Sequence, residues 1–137
     1  MSAVVVDSSI ALSWCFQDEA SPVTDMLFER VRDSGAIVPG LWHLELSNVL
    51  LQAERRGRIS TGDVTMRLDL IAQLPILTDQ ETTIRAWREI LTLARAAGLT
   101  TYDATYLELA MRRGLPLLTK DNELVRAAKR LGVEAFP

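Results

Sequence analysis

The chain has 137 residues, of which 48% are hydrophobic and 24% charged, a balance typical of folded globular proteins and not of disordered ones. This length suits one hydrophobic core, so we expect a single domain over residues 1–137. The net charge of −3 argues against a protein that coats nucleic acid through excess positive charge, and a single cysteine excludes an intrachain disulfide and multi-cysteine metal sites.

Short apolar runs along the chain predict four strands. The first, residues 3–6, has no polar alternation, as expected of a strand that is covered on both faces. The other three predicted strands are residues 37–38, 75–78 and 115–119.

Longer stretches between these runs carry apolar residues at spacings of three and four, which predicts amphipathic helices. These stretches are residues 21–32, 41–56, 60–74, 82–97, 101–113 and 123–131. Boundary residues support several of them: Ser60 and Thr82 are predicted N-caps, and Gly98, Gly114 and Gly132 stand where helices are predicted to end.

The alternation of strands and helices predicts an α/β fold with a small, mostly parallel sheet and helices on both faces. In such sheets the binding crevice lies at the carboxyl ends of the strands. The residues that follow the predicted strands therefore indicate where a functional site should be.

Acidic residues occupy those positions. Asp7 directly follows the first strand and Asp121 the last, and either could simply cap the next helix. Asp103 lies in the first turn of a predicted helix, where the helix dipole alone favours a negative charge. Glu45 stands in mid-helix, beside Asn48 on one stripe of that helix. The four acids could therefore have separate structural roles. Alternatively, they could meet in one crevice and form a functional site.

Four carboxylates in one crevice imply a cation, because like charges a few ångströms apart raise one another's pKa. The chain has one histidine and no second cysteine, so the ligands would all be oxygens. Such a ligand set favours Mg²⁺ or Mn²⁺ over zinc or copper.

No apolar run approaches the roughly 20 residues that cross a bilayer. The first residues, MSAVVVDSS, show neither a basic start nor a long apolar segment of the kind found in secretory signals. We therefore expect a cytoplasmic protein with no membrane partner.

Four ordered segments resemble the signature blocks of the PIN domain, most closely in VapC-type toxins of bacterial toxin-antitoxin modules. They are residues 4–9, 38–48, 102–110 (YDATYLELA) and 118–121. The resemblance implies a three-layer PIN-like fold with a sheet of four to five mostly parallel strands. It also implies a ribonuclease that depends on Mg²⁺ or Mn²⁺.

The same resemblance implies catalytic and metal-binding roles for four acids, namely Asp7, Glu45, Asp103 and Asp121. Supporting roles are implied for Ser8 or Ser9 through a hydroxyl, for Asn48 as a brace for Glu45, and for Thr119, which would orient Asp121. One departure is visible: many relatives carry a further acid shortly after the position of Asp121, and here Asn122 and Glu123 follow.

The partners implied by the resemblance are an RNA substrate, a second copy of the chain and a VapB-type antitoxin. The homodimer would use the helices around Glu45, and the antitoxin would place an Arg or Lys against the acids. Two other functions stay open: a non-catalytic PIN-like module that binds RNA or protein, and a phosphotransfer module of receiver or haloacid-dehalogenase type.

Basic and aromatic residues outside the acids have two interpretations each. Three groups could hold RNA phosphates or could lie solvated near helix ends: Arg55, Arg56 and Arg58; Arg112 and Arg113; and Lys120. Trp14 and Phe16 could stack on an unpaired base, although burial in the core is the stronger expectation. His43 is expected to be structural.

Overall fold

The computed structural model describes residues 3–137 and contains a five-stranded sheet in the order β3-β2-β1-β4-β5. Each neighbouring pair of strands is parallel. The strands are β1 (Val4–Val6), β2 (Ala36–Val38), β3 (Ile76–Thr78), β4 (Leu117–Leu118) and β5 (Ala135–Phe136). Helices flank this sheet in a three-layer α/β arrangement, which confirms the predicted fold class.

The helices are α1 (Ser8–Ser13), α2 (Pro22–Ser34), α3 (Leu41–Arg55), α4 (Thr61–Ala72), α5 (Thr82–Arg85), α6 (Leu91–Ala97), α7 (Thr101–Arg113) and α8 (Asn122–Arg130). A short 3₁₀ turn, Gln17–Glu19, lies between α1 and α2. Within residues 3–137, no helix combines the length and apolar character that crossing a bilayer requires.

Three strands form the buried centre of the sheet. Every residue of β1, β2 and β4 is buried, as the uninterrupted apolar runs predict. The edge strand β3 differs, since Leu77 is 69% exposed. The sequence reading missed β5 because its two residues are too short a run to stand out from the preceding loop.

Helix boundaries follow most of the predicted signals. Ser60 caps α4 in a capping box with Asp63, and Gly98 and Gly114 end α6 and α7 in the left-handed conformation. The prediction for Thr82 is wrong: the residue before α5 is Glu81, and the Thr82 hydroxyl donates instead to Asp79.

The long helix predicted over residues 82–97 is interrupted. A π-helical segment, Ala86–Ile90, joins α5 to α6. Ile90 and Ala94 face the core there, whereas Trp87 is 89% exposed. A wider turn changes which residues face inward, and apolar spacing alone does not reveal it.

The parallel sheet places the ends of β1 and β4 beside each other. The backbone N–H of Asp7 donates to the Leu118 carbonyl oxygen at 3.0 Å, so the residues that follow these two strands are neighbours. This edge of the sheet is where the predicted crevice should lie.

Candidate active site

Asp7 is the first residue after β1, at the carboxyl end of the sheet where the crevice is predicted, and it is 6% exposed. One carboxylate oxygen accepts from the Ser9 hydroxyl at 2.5 Å and from the Ile10 backbone N–H at 3.3 Å. The other oxygen accepts from the Thr119 hydroxyl at 2.5 Å. Burial raises the pKa of Asp7 above its usual value in spite of these bonds. Asp7 therefore does cap α1, and its carboxylate is also buried where its charge is disfavoured.

Thr119 joins the two strand ends across 112 residues of sequence. It is fully buried, and its oxygen also accepts from the backbone N–H of Asp121 at 3.0 Å. The family resemblance assigns Thr119 the role of orienting Asp121. In the structure the Thr119 hydroxyl also donates a hydrogen bond to the carboxylate of Asp7. Ser9 makes a second link, because its oxygen accepts from the backbone N–H of Lys120 at 2.9 Å.

Asp121 caps α8. Its Oδ1 accepts from the backbone N–H groups of Glu123 and Leu124 at 2.9 and 3.3 Å. The structural role considered for this residue is therefore present. Asp121 is partly exposed at the rim of the crevice, where its charge acts on Asp103.

Glu45 lies on α3, with its side chain partly buried. Burial raises the pKa of Glu45, and the charges of Asp7 and Asp103 raise it further. The Tyr106 hydroxyl donates a hydrogen bond to Glu45 Oε1.

The residue that braces Glu45 differs from the expected one. Asn48 is exposed on α3, and the hydrogen bond that the structure gives Glu45 Oε1 comes from Tyr106 on α7. Ser8 also lowers the pKa of Glu45 through its side chain, although less than Tyr106 does. The YDATYLELA segment contained Tyr106, but nothing in its spacing indicated which carboxylate its hydroxyl would meet.

Asp103 approaches from the first turn of α7. Its backbone N–H donates to the Thr100 hydroxyl at 3.1 Å, so the helix cap is Thr100 and the carboxylate is not needed for that purpose. Burial raises the pKa of Asp103, followed by the charges of Asp121 and Glu123. Glu123, one of the two residues that follow Asp121, is thus a further acid beside this cluster.

The four predicted acids form a series of interacting neighbours: Asp7 with Glu45, Glu45 with Asp103, and Asp103 with Asp121. No three Asp, Glu, His or Cys side chains among residues 3–137 are close enough to form a ready-made metal site. The chemistry of the set still fits a hard divalent cation, since its donors are carboxylate oxygens whose mutual repulsion a cation would relieve. Some of these oxygens are meanwhile held by hydrogen bonds within the chain.

A family model described as "PIN domain" matches residues 4–130. The chain belongs to the PIN domain family. Members of this family are typically nucleases. The acids at the carboxyl end of the sheet, from Asp7 to Asp121, all lie inside the matched range.

Two solved structures share the fold of this PIN domain. PAE2754 from Pyrobaculum aerophilum is 24% identical, with a TM-score of 0.72 over 98% of this chain and 89% of that one. FitAcB from Neisseria gonorrhoeae is 14% identical, with a TM-score of 0.67 over 98% of this chain and 96% of that one. No curated protein has a sequence that matches the chain.

Several basic residues considered for RNA binding are already paired within the PIN domain. The Arg58 guanidinium bonds to Asp18 at 2.8 Å and lies over the Phe16 ring, 3.9 Å from its centroid. Lys120 stands 3.8 Å from Glu19, close to the rim of the crevice. Arg55, Arg56 and Arg113 are exposed, so they remain the freer candidates for phosphate contacts.

The aromatic candidates belong to the core, as the stronger expectation held. Phe16 is 3% exposed, and Trp14 donates its indole N–H to the Thr24 carbonyl oxygen at 2.9 Å. His43 is exposed on α3 and packs edge-on against Trp42, with ring centroids 5.0 Å apart. Neither tryptophan nor histidine reaches the acids through a described hydrogen bond within residues 3–137.

Proposed function

We propose that this PIN domain is an endoribonuclease that depends on Mg²⁺ or Mn²⁺. The observation that supports the proposal is the chain of charge interactions that links Asp7 to Glu45, Glu45 to Asp103 and Asp103 to Asp121, in a family whose members are typically nucleases. The substrate would be an RNA phosphodiester bond.

Each residue has a defined task in this proposal. The four acids would hold the cation, which when bound lowers the pKa of water and offsets negative charge on the phosphoryl oxygens. Ser9 and Thr119 fix the Asp7 carboxylate from both sides. Because water is the nucleophile, no side chain has to form a covalent bond to the RNA.

Replacement of Asp7 by Asn tests the proposal. The amide keeps the size of the side chain but removes the charge that binds a cation, so we expect Mg²⁺-dependent cleavage of a labelled RNA to be abolished. Without metal the variant should be as stable as the natural chain or slightly more so, because it relieves repulsion within the acids. Thermal unfolding measures that stability.

Asp69→Asn is the matched control, since Asp69 is exposed on α4 and the same change there should leave cleavage intact. Cleavage by Asp7→Asn at the natural rate would show that the acids are not the active centre. Unfolding of that variant would show that Asp7 serves only as the cap of α1.

The toxin role is proposed from the resemblance to VapC-type toxins. The partner would be a VapB-type antitoxin whose Arg or Lys enters the acidic crevice, where charge-assisted bonds to the carboxylates would form. Co-expression with the product of an adjacent open reading frame tests this contact. The two proteins should copurify, and the double variant with Asp7→Asn and Glu45→Gln should lose that copurification. The cytoplasmic location and the single domain over residues 1–137 are part of the same proposal.

A homodimer is proposed through the helices around Glu45. Leu44 and Leu51 on α3 are 74% and 37% exposed. A groove of about 410 Å³ between α3, α4 and β3 is lined by apolar residues that include Leu46 and Ile71. Light scattering of the natural chain and of Leu44→Glu measures the change in mass that this interface predicts.

One observation favours a second candidate, a PIN-like module that binds RNA or protein without cutting. That observation is the lack of a ready-made metal cluster within residues 3–137. Titration with Mn²⁺ followed by an RNA cleavage assay separates the two, because only the nuclease requires both metal binding and product formation.

A further inference from the structure

The Tyr106 hydroxyl is a direct link between the hydrophobic core and Glu45. The Tyr106 side chain is 1% exposed and belongs to the main core cluster. Its hydroxyl donates to Glu45 Oε1, which is 61 residues away in the sequence and on another helix. A buried phenol of this kind has little freedom to move, so the direction of its hydroxyl is fixed by the packing of its ring.

Loss of this hydrogen bond should allow the Glu45 side chain to turn away from the other acids. Its side chain has three rotatable bonds and is only partly buried, and the charges of Asp7 and Asp103 act against it. Repulsion would favour rotamers that point to solvent. Asp7 and Asp121 do not share this weakness, because each accepts at least two hydrogen bonds from hydroxyl or backbone donors.

We propose that Tyr106 is a positioning residue that keeps the Glu45 carboxylate at the crevice, ready to bind a divalent cation. This inference rests on the proposed nuclease function, which assigns Glu45 to the cation. Groups that orient a ligand of a metal commonly change metal affinity by about 10- to 100-fold when they are removed. An effect of that size should follow from loss of one oxygen atom.

Tyr106→Phe removes only that oxygen and keeps the ring in the core. We expect it to bind Mn²⁺ at least about tenfold more weakly by calorimetry and to lose part of the rise in melting temperature that Mn²⁺ produces. Tyr102→Phe is the matched control: it removes the same atom from the same helix, where the tyrosine is 65% exposed. It should bind Mn²⁺ as the natural chain does.

Kinetics give a second readout. With RNA at saturation, Tyr106→Phe should need more Mg²⁺ for half-maximal cleavage and recover most of its kcat when Mg²⁺ is in excess. A residue that merely supported the fold would lower the melting temperature without moving this metal requirement.

A double-mutant comparison tests whether Tyr106 acts through Glu45. In the Glu45→Ala background, Tyr106→Phe should cause no further loss of Mn²⁺ affinity. An equal loss in both backgrounds would overturn the proposal, as would equal Mn²⁺ affinity of the natural chain and Tyr106→Phe.

Should Tyr106→Phe fail to fold, the contact can be followed in the natural chain. The ¹³Cζ chemical shift of Tyr106 reports the bonding of its hydroxyl and should change in Glu45→Ala; an unchanged shift refutes the contact. If the natural protein binds Mn²⁺ and cuts RNA, and Tyr106→Phe has the same affinity and activity, the nuclease proposal stands and the inference about Tyr106 is wrong. If the natural protein neither binds Mn²⁺ nor cuts RNA, both the nuclease proposal and the inference about Tyr106 are wrong.

Discussion

Arg112, on α7, holds together two buried acids. Its guanidinium bonds to both oxygens of Asp79 at 3.1 and 2.9 Å, and to both oxygens of Glu108 at 2.9 and 3.2 Å. Side-chain exposures are 13% for Arg112, 4% for Asp79 and 10% for Glu108. The sequence reading considered Arg112 for phosphate binding or for a solvated helix end, and neither applies.

Replacement of Arg112 by Met keeps the aliphatic volume and leaves two buried carboxylates without their cation. Removal of one partner from a buried ion pair costs about 3–5 kcal/mol in the free energy of unfolding. For a chain of this size each kcal/mol shifts the melting temperature by roughly 3–5 °C, so we expect a fall of about 9–25 °C at pH 7. Urea unfolding followed by circular dichroism measures the free energy directly.

The effect should depend on pH with a defined sign. Burial alone would raise the pKa of Asp79, but the hydrogen bonds from Arg112 and Thr82 outweigh it and lower the pKa below its usual value. A lowered pKa contributes stability at pH values above the unfolded pKa of about 3.8, and that stability is lost as the pH falls through the folded pKa. In Arg112→Met the unpaired acids are instead stabilised by protonation. The difference in free energy of unfolding between the natural chain and Arg112→Met should therefore become smaller from pH 7 to pH 4.

Arg113→Met is the control for the loss of charge, because Arg113 is exposed on the same turn of α7. It should change the free energy of unfolding by no more than about 0.5 kcal/mol. A loss below about 1 kcal/mol in Arg112→Met at pH 7, or a loss that stays constant down to pH 4, would refute the reasoning from buried, unpaired carboxylates.

Two further changes probe the backbone and the core. Gly35 has φ 83° and ψ 171°, a conformation almost restricted to glycine, and an added Cβ would lie 3.1 Å from the Pro75 carbonyl oxygen. Gly35→Ala should cost about 1–3 kcal/mol in urea unfolding, whereas Gly40→Ala, with φ −58° and open space, should cost far less. Burial raises the pKa of the Cys15 thiol to about 11, so at pH 8 only about a thousandth of the thiol should be thiolate. Ellman's reagent should therefore react much faster with the chain unfolded in urea than with the folded chain. Equal rates would contradict this prediction.

The sequence by itself determined the fold class and the placement of acids directly after β1 and β4. Buried strands appear as uninterrupted apolar runs, and helices appear as apolar residues at spacings of three and four. Each of these patterns is local, because it involves residues only a few positions apart in the sequence. The chain order of the elements then indicated a parallel sheet, and the acids after its strands indicated the end of the sheet where the site is proposed. Asp7 and Asp121 could be located in this way because strand ends are fixed by local sequence.

Only the tertiary structure decided which side chains meet. Tyr106 braces Glu45 where Asn48 was expected. Arg112 is bound by Asp79, which follows β3, and by Glu108 of α7, where phosphate or solvent was expected. Such contacts depend on how two helices cross and on the direction of each side chain, which residues far apart in the chain set jointly. A periodic pattern identifies the inward face of an element, but it does not identify the atoms that this face will touch.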